Sequence, residues 1–213
     1  FYAVVSGWIL YYFVKFLTGQ NQDFGFEKMI TTPSVNVTYL LVTLLIAFVI
    51  LSFHLQGGLE RITKYMMSAL IVLMVHSFTL PGAGEGLSFY LIPHFSKITG
   101  SVVVGAMNQA FFTLSVGMGG MAIFGSYIGK DRSLMGESIH IIILDTLVAV
   151  IAGIIIFPAC FTYDVEVTAG PSLLFDTMAT VFNNMAGGRW WGTLFFLFMV
   201  FAAMSTVLGV CEN

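Results

Sequence analysis

Asp145 sits in the middle of an apolar run, Ile141-Ile142-Ile143-Leu144-Asp145-Thr146-Leu147-Val148-Ala149-Val150. A carboxylate at bilayer depth is costly unless paired, and such residues mark ion or proton pathways. The plainer reading is a protonated or hydrogen-bonded structural Asp. A second concentration of polar groups lies in Gln109-Ala110-Phe111-Phe112-Thr113-Leu114-Ser115-Val116-Gly117-Met118-Gly119-Gly120, inside an apolar segment from about Val102 to Ile128. Glycine is costly inside a helix, and Ser and Thr offer the backbone competing hydrogen bonds. Two readings follow. The crossing breaks into half-helices whose freed N–H and C=O groups face an ion or substrate, or the glycines only allow close helix packing. Na⁺ is a hard cation that favours oxygen, so Asp145, the Thr113 hydroxyl and loosened carbonyls would suit it. Ala202, Ala203, Ser205 and Thr206 are either a packing stripe or a second oxygen-lined ion site.

Other chemistries fit less well. An intramembrane aspartyl protease needs two facing carboxylates that share a proton; Tyr163-Asp164 imitates half of such a pair, but Asp145 lacks the glycine-rich surroundings of the other half. The glycines from Gly117 onward follow no predicted strand, so a dinucleotide fingerprint is rejected. His76 and His140 lie near segment ends, where a lone histidine is more often structural than a ligand, and Lys15 reaches the interface from the first segment.

Of the 213 residues, 58% are hydrophobic and 9% charged, and the mean hydropathy is +0.93. Soluble domains carry roughly 25% charged residues, so the composition describes an integral membrane protein in contact with the lipid bilayer. Eight Lys+Arg against eleven Asp+Glu leave no basic patch for nucleic acid. Cys160 and Cys211 suggest neither a disulfide framework nor a metal site.

The elements that must position these groups are six apolar segments, at about 1–18, 38–53, 65–80, 102–128, 138–161 and 190–211, in a single transmembrane domain over 1–213. The connection Leu80 to Gly100 reads as an amphipathic surface piece. The longest connection, 162–189, carries a helix-like stretch from Leu173 to Met185 that stops at Gly187-Gly188. Arg61, Lys64, Lys130 and Arg132 lie in short loops on one side, which the positive-inside rule places in the cytoplasm. The first segment then runs outward and 162–189 is a large extracellular loop. With residue 1 inside an apolar run, we read the chain as an internal part of a longer transporter-like protein.

Taken together, Gln109-Ala-Phe-Phe-Thr-Leu-Ser-Val-Gly-Met-Gly resembles the unwound sixth helix of the neurotransmitter:sodium symporter family, in its bacterial amino-acid-transporting branch. Ser6-Gly7-Trp8 and Lys15-Phe16-Leu17 resemble the third helix, and Gly58-Leu59-Glu60-Arg61 with Lys64 the start of the fifth. Leu80-Pro81-Gly82-Ala83-Gly84-Glu85-Gly86-Leu87 and Phe124-Gly125-Ser126-Tyr127 through Lys130-Asp131 are similar to the flanks of the sixth. Asp145-Thr146-Leu147 with Ile156-Phe157-Pro158-Ala159 is similar to the seventh, and Ala169-Gly170-Pro171-Ser172-Leu173-Leu174-Phe175 to the large extracellular loop. The resemblance runs from within helix three to the end of helix eight.

The resemblance implies an all-α membrane protein with the broken-helix, inverted-repeat (LeuT-type) transporter fold, truncated at both ends, in the bacterial inner (plasma) membrane. It implies sodium-coupled symport of amino acids into the cell by alternating access, without covalent chemistry, and two Na⁺ sites in the full-length protein. Tyr2 would bind the substrate carboxylate, and Phe112 would close over the substrate. Ser115 and Met118 would border it at the break, faced by Thr206 and Val210. Thr113 would serve both the substrate and the first sodium site, which includes Asp145. Ala202, Ser205 and Thr206 would contribute to the second sodium site, and Gln109 would lie near the chloride position. Asp145 replaces the family's usual Asn, and Ala149 stands where some members place Glu. We therefore expect Asp145 to supply the charge and chloride not to be required. Met118 in place of a Phe favours a large hydrophobic or aromatic amino acid. Ser68 stands where some members have proline. The competing readings are a proton-coupled carrier in which Asp145 titrates, and a non-transporting receptor for an amino acid.

Overall fold

The structure is a computed structural model that describes residues 2–22, 25–52, 56–117, 125–126, 128–129, 132–167 and 170–211; at 51, 56–63, 65 and 209–211 only the backbone is described. The described residues form helices and turns. α1 spans Tyr2–Thr18. Gly19 ends it with φ at 76°; the Gly19 N–H bonds the Phe16 carbonyl at 3.2 Å and the Gln20 N–H bonds that of Lys15 at 2.9 Å. Those two bonds satisfy carbonyls that the helix end would leave open. Arg189 reinforces the same end, its Nη2 donating to the Leu17 carbonyl at 2.6 Å.

A short helix α2, Phe26–Ile30, leads into α3, Pro33–Ser52. Proline suits a first helical turn because its missing N–H has no partner there in any case. Asn36 joins α1, α2 and α3. Its Oδ1 accepts from Trp8 Nε1 at 2.6 Å, and its Nδ2 reaches the carbonyls of Met29, Ile30 and Thr32 at 2.9, 3.1 and 3.1 Å. At Gly7 the α1 backbone approaches that of α3 so closely that a Cβ would stand 3.1 Å from Leu40 N and Tyr39 C.

α4, Gln56–Phe78, turns through 114° into α5, Ala83–Leu91. α6 covers Gly100–Thr113 and buries none of its residues. α7, Leu134–Thr162, starts with Ser133 accepting the Gly136 N–H and contains Pro158. The Leu134 end is flanked by an ion pair between Arg132 and Glu137 at 2.8 Å. Within 162–189, a π-helical turn, Leu173–Thr177, runs into α8, Met178–Asn184. α9, Gly188–Cys211, follows.

The core lies where α1, α4, α7 and α9 meet, capped by the 173–184 segment. Tyr12, Phe16, Phe175 and Phe196 are buried almost completely. Phe16 stacks on Phe196 at 5.2 Å, and Tyr12 lies 5.0 Å from Phe175. Phe175 stacks on Phe26 at 5.0 Å, with Trp8 edge-on to both. Outward faces are apolar: Leu41, Leu45 and Phe48 on α3 and Ile143 and Leu144 on α7 are exposed. Among the described residues, Pro33–Ile50, Leu134–Thr162 and Gly188–Leu208 are long and apolar enough to cross a bilayer. The bent α4–α5 pair makes a fourth if counted as one span, and α1 is a shorter apolar helix.

Candidate functional site

The apolar stretch 102–128 is not one helix through Ser115. α6 stops at Thr113, where Leu114 N–H bonds the Ala110 carbonyl at 3.0 Å. Ser115 then takes a left-handed conformation, φ 52°. Its N–H bonds the Phe112 carbonyl at 3.1 Å, and the Val116 N–H bonds that of Phe111 at 2.9 Å. This is the paired closure that ends many helices, with serine in the place glycine usually takes. Gly117, φ 81°, takes the chain further from helical geometry. Met118 lies outside the described residues, as do 119–124.

The break lies beside α1. The rings of Tyr2 and Phe112 stack with centroids 5.8 Å apart and planes inclined by 23°. Tyr2 is held in turn by Ser6, whose Oγ donates to the Tyr2 carbonyl at 2.8 Å, and by a cluster of Ala47, Met204, Val207 and Leu208. The structure thus brings together Tyr2 and Phe112, and a further hydrogen bond, Gln109 Nε2 to Thr113 Oγ1 at 3.2 Å, joins two more of the predicted residues. The sequence does not single out Ala47 and its neighbours on α3, because that helix is apolar nearly all round.

On α9, Ser205 Oγ donates to the Ala202 carbonyl at 2.7 Å and Thr206 Oγ1 to the same carbonyl at 3.4 Å. Both side chains are exposed. A hydroxyl that spends its hydrogen on a carbonyl leaves oxygen lone pairs facing outward, which is what a hard cation requires. Val210 belongs to α9, but its side chain lies outside the described residues. Asp145 is half-buried on α7, and no hydrogen bond joins its carboxylate to Thr113, Ser205 or Thr206. Asp164 takes the left-handed position after α7, φ 50°, with the Val165 N–H on the Cys160 carbonyl at 3.0 Å. At 1.5 Å per residue it stands roughly 28 Å along the chain axis from Asp145, too far to share a proton.

An all-α membrane protein in which an apolar helix stops between polar residues, with an aromatic pair beside its end, has the outline of a broken-helix membrane fold. Over residues 24–213 the chain matches the sodium:neurotransmitter symporter family, and it belongs to that family. It is 32% identical to an uncharacterized sodium-dependent transporter of Haemophilus influenzae, covering 100% of this chain and 50% of the relative. It is 34% identical to the uncharacterized sodium-dependent transporter YhdH of Bacillus subtilis, covering 100% and 49%. The crystal structure of MhsT in complex with L-phenylalanine superposes with a TM-score of 0.85 at 35% identity, over 100% of this chain and 51% of MhsT. The fold is therefore the LeuT-type fold, and the chain spans about half the length of these relatives. The protein is an integral membrane protein, and its bacterial relatives point to the plasma membrane.

Proposed function

We propose that the full-length protein is a sodium-coupled symporter that carries hydrophobic or aromatic amino acids into the cell by alternating access. The observation that carries this reading is the end of α6 at Thr113–Ser115 beside the stacked Tyr2–Phe112 pair. A helix that stops there frees backbone groups, and an aromatic pair beside them offers a movable apolar cover. Its 35% identity to MhsT, solved with L-phenylalanine, supports an amino acid of that size. Tyr2 would take the substrate carboxylate, Phe112 would close over the side chain, and Ser115, Met118, Thr206 and Val210 would line it. The donor set suits Na⁺: Thr113 and Asp145 for one site, Ala202, Ser205 and Thr206 for the other, all through oxygen. With Asp145 supplying a negative charge, chloride is not required, and Gln109 acts on Thr113 rather than on an anion.

A second reading has one observation in its favour. Asp145 has no cationic partner among the described residues, so its carboxylate could take up a proton instead of facing Na⁺. Uptake by the full-length protein in proteoliposomes, with labelled amino acids and an inward Na⁺ gradient, separates the two. Uptake that needs Na⁺ and is lost in Asp145→Ala and Phe112→Ala supports the symporter. Uptake unchanged in choline but driven by a proton gradient overturns the coupling ion, and saturable binding without uptake overturns transport.

A further inference from the structure

Pro158 lies inside α7. Proline has no N–H, so the carbonyl of Ile154, four residues earlier, loses its helical donor. In a bilayer no water replaces it. The replacement comes from another helix: Ser77, near the end of α4, is 2% exposed. Its Oγ donates to the Ile154 carbonyl at 2.9 Å and lies 3.3 Å from that of Ile155. The bend after α4 then wraps α5 over the same proline. A Cβ on Gly86 would stand 2.6 Å from Pro158 N and Cα, so the two backbones touch. Thr162 Oγ1 donates to the Pro158 carbonyl at 2.7 Å and accepts the Gly82 N–H at 3.1 Å. The last turn of α4, the bend and α5 therefore grip α7 on both sides of its proline.

We propose that Ser77 is the pin of a proline hinge in α7, so that α4, α5 and the outer part of α7 hold one geometry while the hydroxyl bridges to Ile154. Without that hydroxyl the Ile154 carbonyl is unpartnered, and α7 gains freedom to bend against the half that carries Asp145. The inference rests on the packing of these three helices and not on the nature of the substrate.

The test uses the full-length protein purified in detergent. Ser77→Thr keeps the hydroxyl, and Ser77→Val has nearly the same shape without it. Ser77→Val is expected to lower Tm by about 2 °C or more, and Ser77→Thr to lie closer to the native value. In a Pro158→Ala background residue 158 again donates to Ile154, so the difference between Thr and Val should shrink to less than about half. Spin labels at Ser88 on α5 and Ser138 on α7, both exposed, should give a broadened or doubled distance distribution in Ser77→Val. Equal stability of Ser77→Thr and Ser77→Val, the same Thr–Val difference in both backgrounds, or an unaltered label distance in Ser77→Val would overturn the hinge. If Pro158→Ala does not fold, the Thr–Val pair and the labels decide alone.

Discussion

Gly84 and Gly86 provide a matched test of how α5 is seated on α7. Both lie in Ala83–Leu91, and both would gain helix propensity of about 0.5–1 kcal/mol on replacement by alanine. Their surroundings are opposite. A Cβ on Gly84 meets nothing within 4 Å, whereas a Cβ on Gly86 would stand 2.6 Å from Pro158 N and Cα and 2.7 Å from Phe157 C. Non-bonded carbons rest at about 3.5–4.0 Å, so α5 would have to retreat by roughly 1 Å from a backbone that cannot yield. Overpacking of that kind costs about 1–3 kcal/mol, more than the propensity gain. Gly84→Ala should raise Tm slightly or leave it unchanged, and Gly86→Ala should lower it by about 2 °C or more. Thermal unfolding of the two purified variants, read by tryptophan fluorescence or a fluorescent thiol probe, measures both. If Gly86→Ala proves as stable as Gly84→Ala, backbone contact between α5 and Pro158 is not what holds the bend.

At the helix break, Ser115→Gly should stabilise by up to about 1 kcal/mol, because glycine takes the left-handed position freely. Ser115→Val should destabilise by about 1–2 kcal/mol, and thermal melts compare the three. Asn36→Ala removes the acceptor of Trp8 and a donor to three carbonyls, with an expected loss of about 1–3 kcal/mol, checked by the same melts. Asp145→Asn should raise the Na⁺ concentration for half-maximal uptake by about tenfold, equivalent to about 1.4 kcal/mol, and make uptake respond to added chloride; an unchanged Na⁺ dependence would argue against Asp145 as a sodium ligand. A double-mutant cycle of Tyr2→Ala and Phe112→Ala should give a coupling of about 0.5–1.5 kcal/mol in substrate affinity, read by uptake competition.

The all-α fold and the interruption after Thr113 are legible in the sequence, and what is not legible there has physical reasons. The apolar stretch 38–53 belongs to a helix that begins at Pro33; Ser34 and Asn36 break the apolar pattern of its first turn, and Asn36 ties three helices together. The stretch 65–80 belongs to a helix that begins at Gln56, since its first turns carry Glu60, Arg61 and Lys64. The glycines of 117–120 announce an interruption, but the first left-handed residue is Ser115, which no glycine count would select. Ser77 was invisible in sequence. Its partner is a carbonyl 77 residues away, and the only local signal is the missing N–H of Pro158. The glycine contacts of α5 are equally silent, because sequence shows that a Cβ is absent but not what has moved in.

The guanidinium of Arg189 on the Leu17 carbonyl closes a span of 172 residues; across 162 residues, Asn21 Nδ2 donates to Asn183 Oδ1 and Asn183 Nδ2 to the backbone carbonyl of Asn21. These contacts have a consequence in time. At about 5–20 residues per second, α1 leaves the ribosome roughly 10–30 s before its partner in α9. α3 follows α1 within seconds and can dock at Gly7, whereas Phe16 meets its stacking partner Phe196 only once α9 is made. Closure of this region by α8 and α9 therefore comes late in synthesis, with Asn183 and Arg189 as its fastenings.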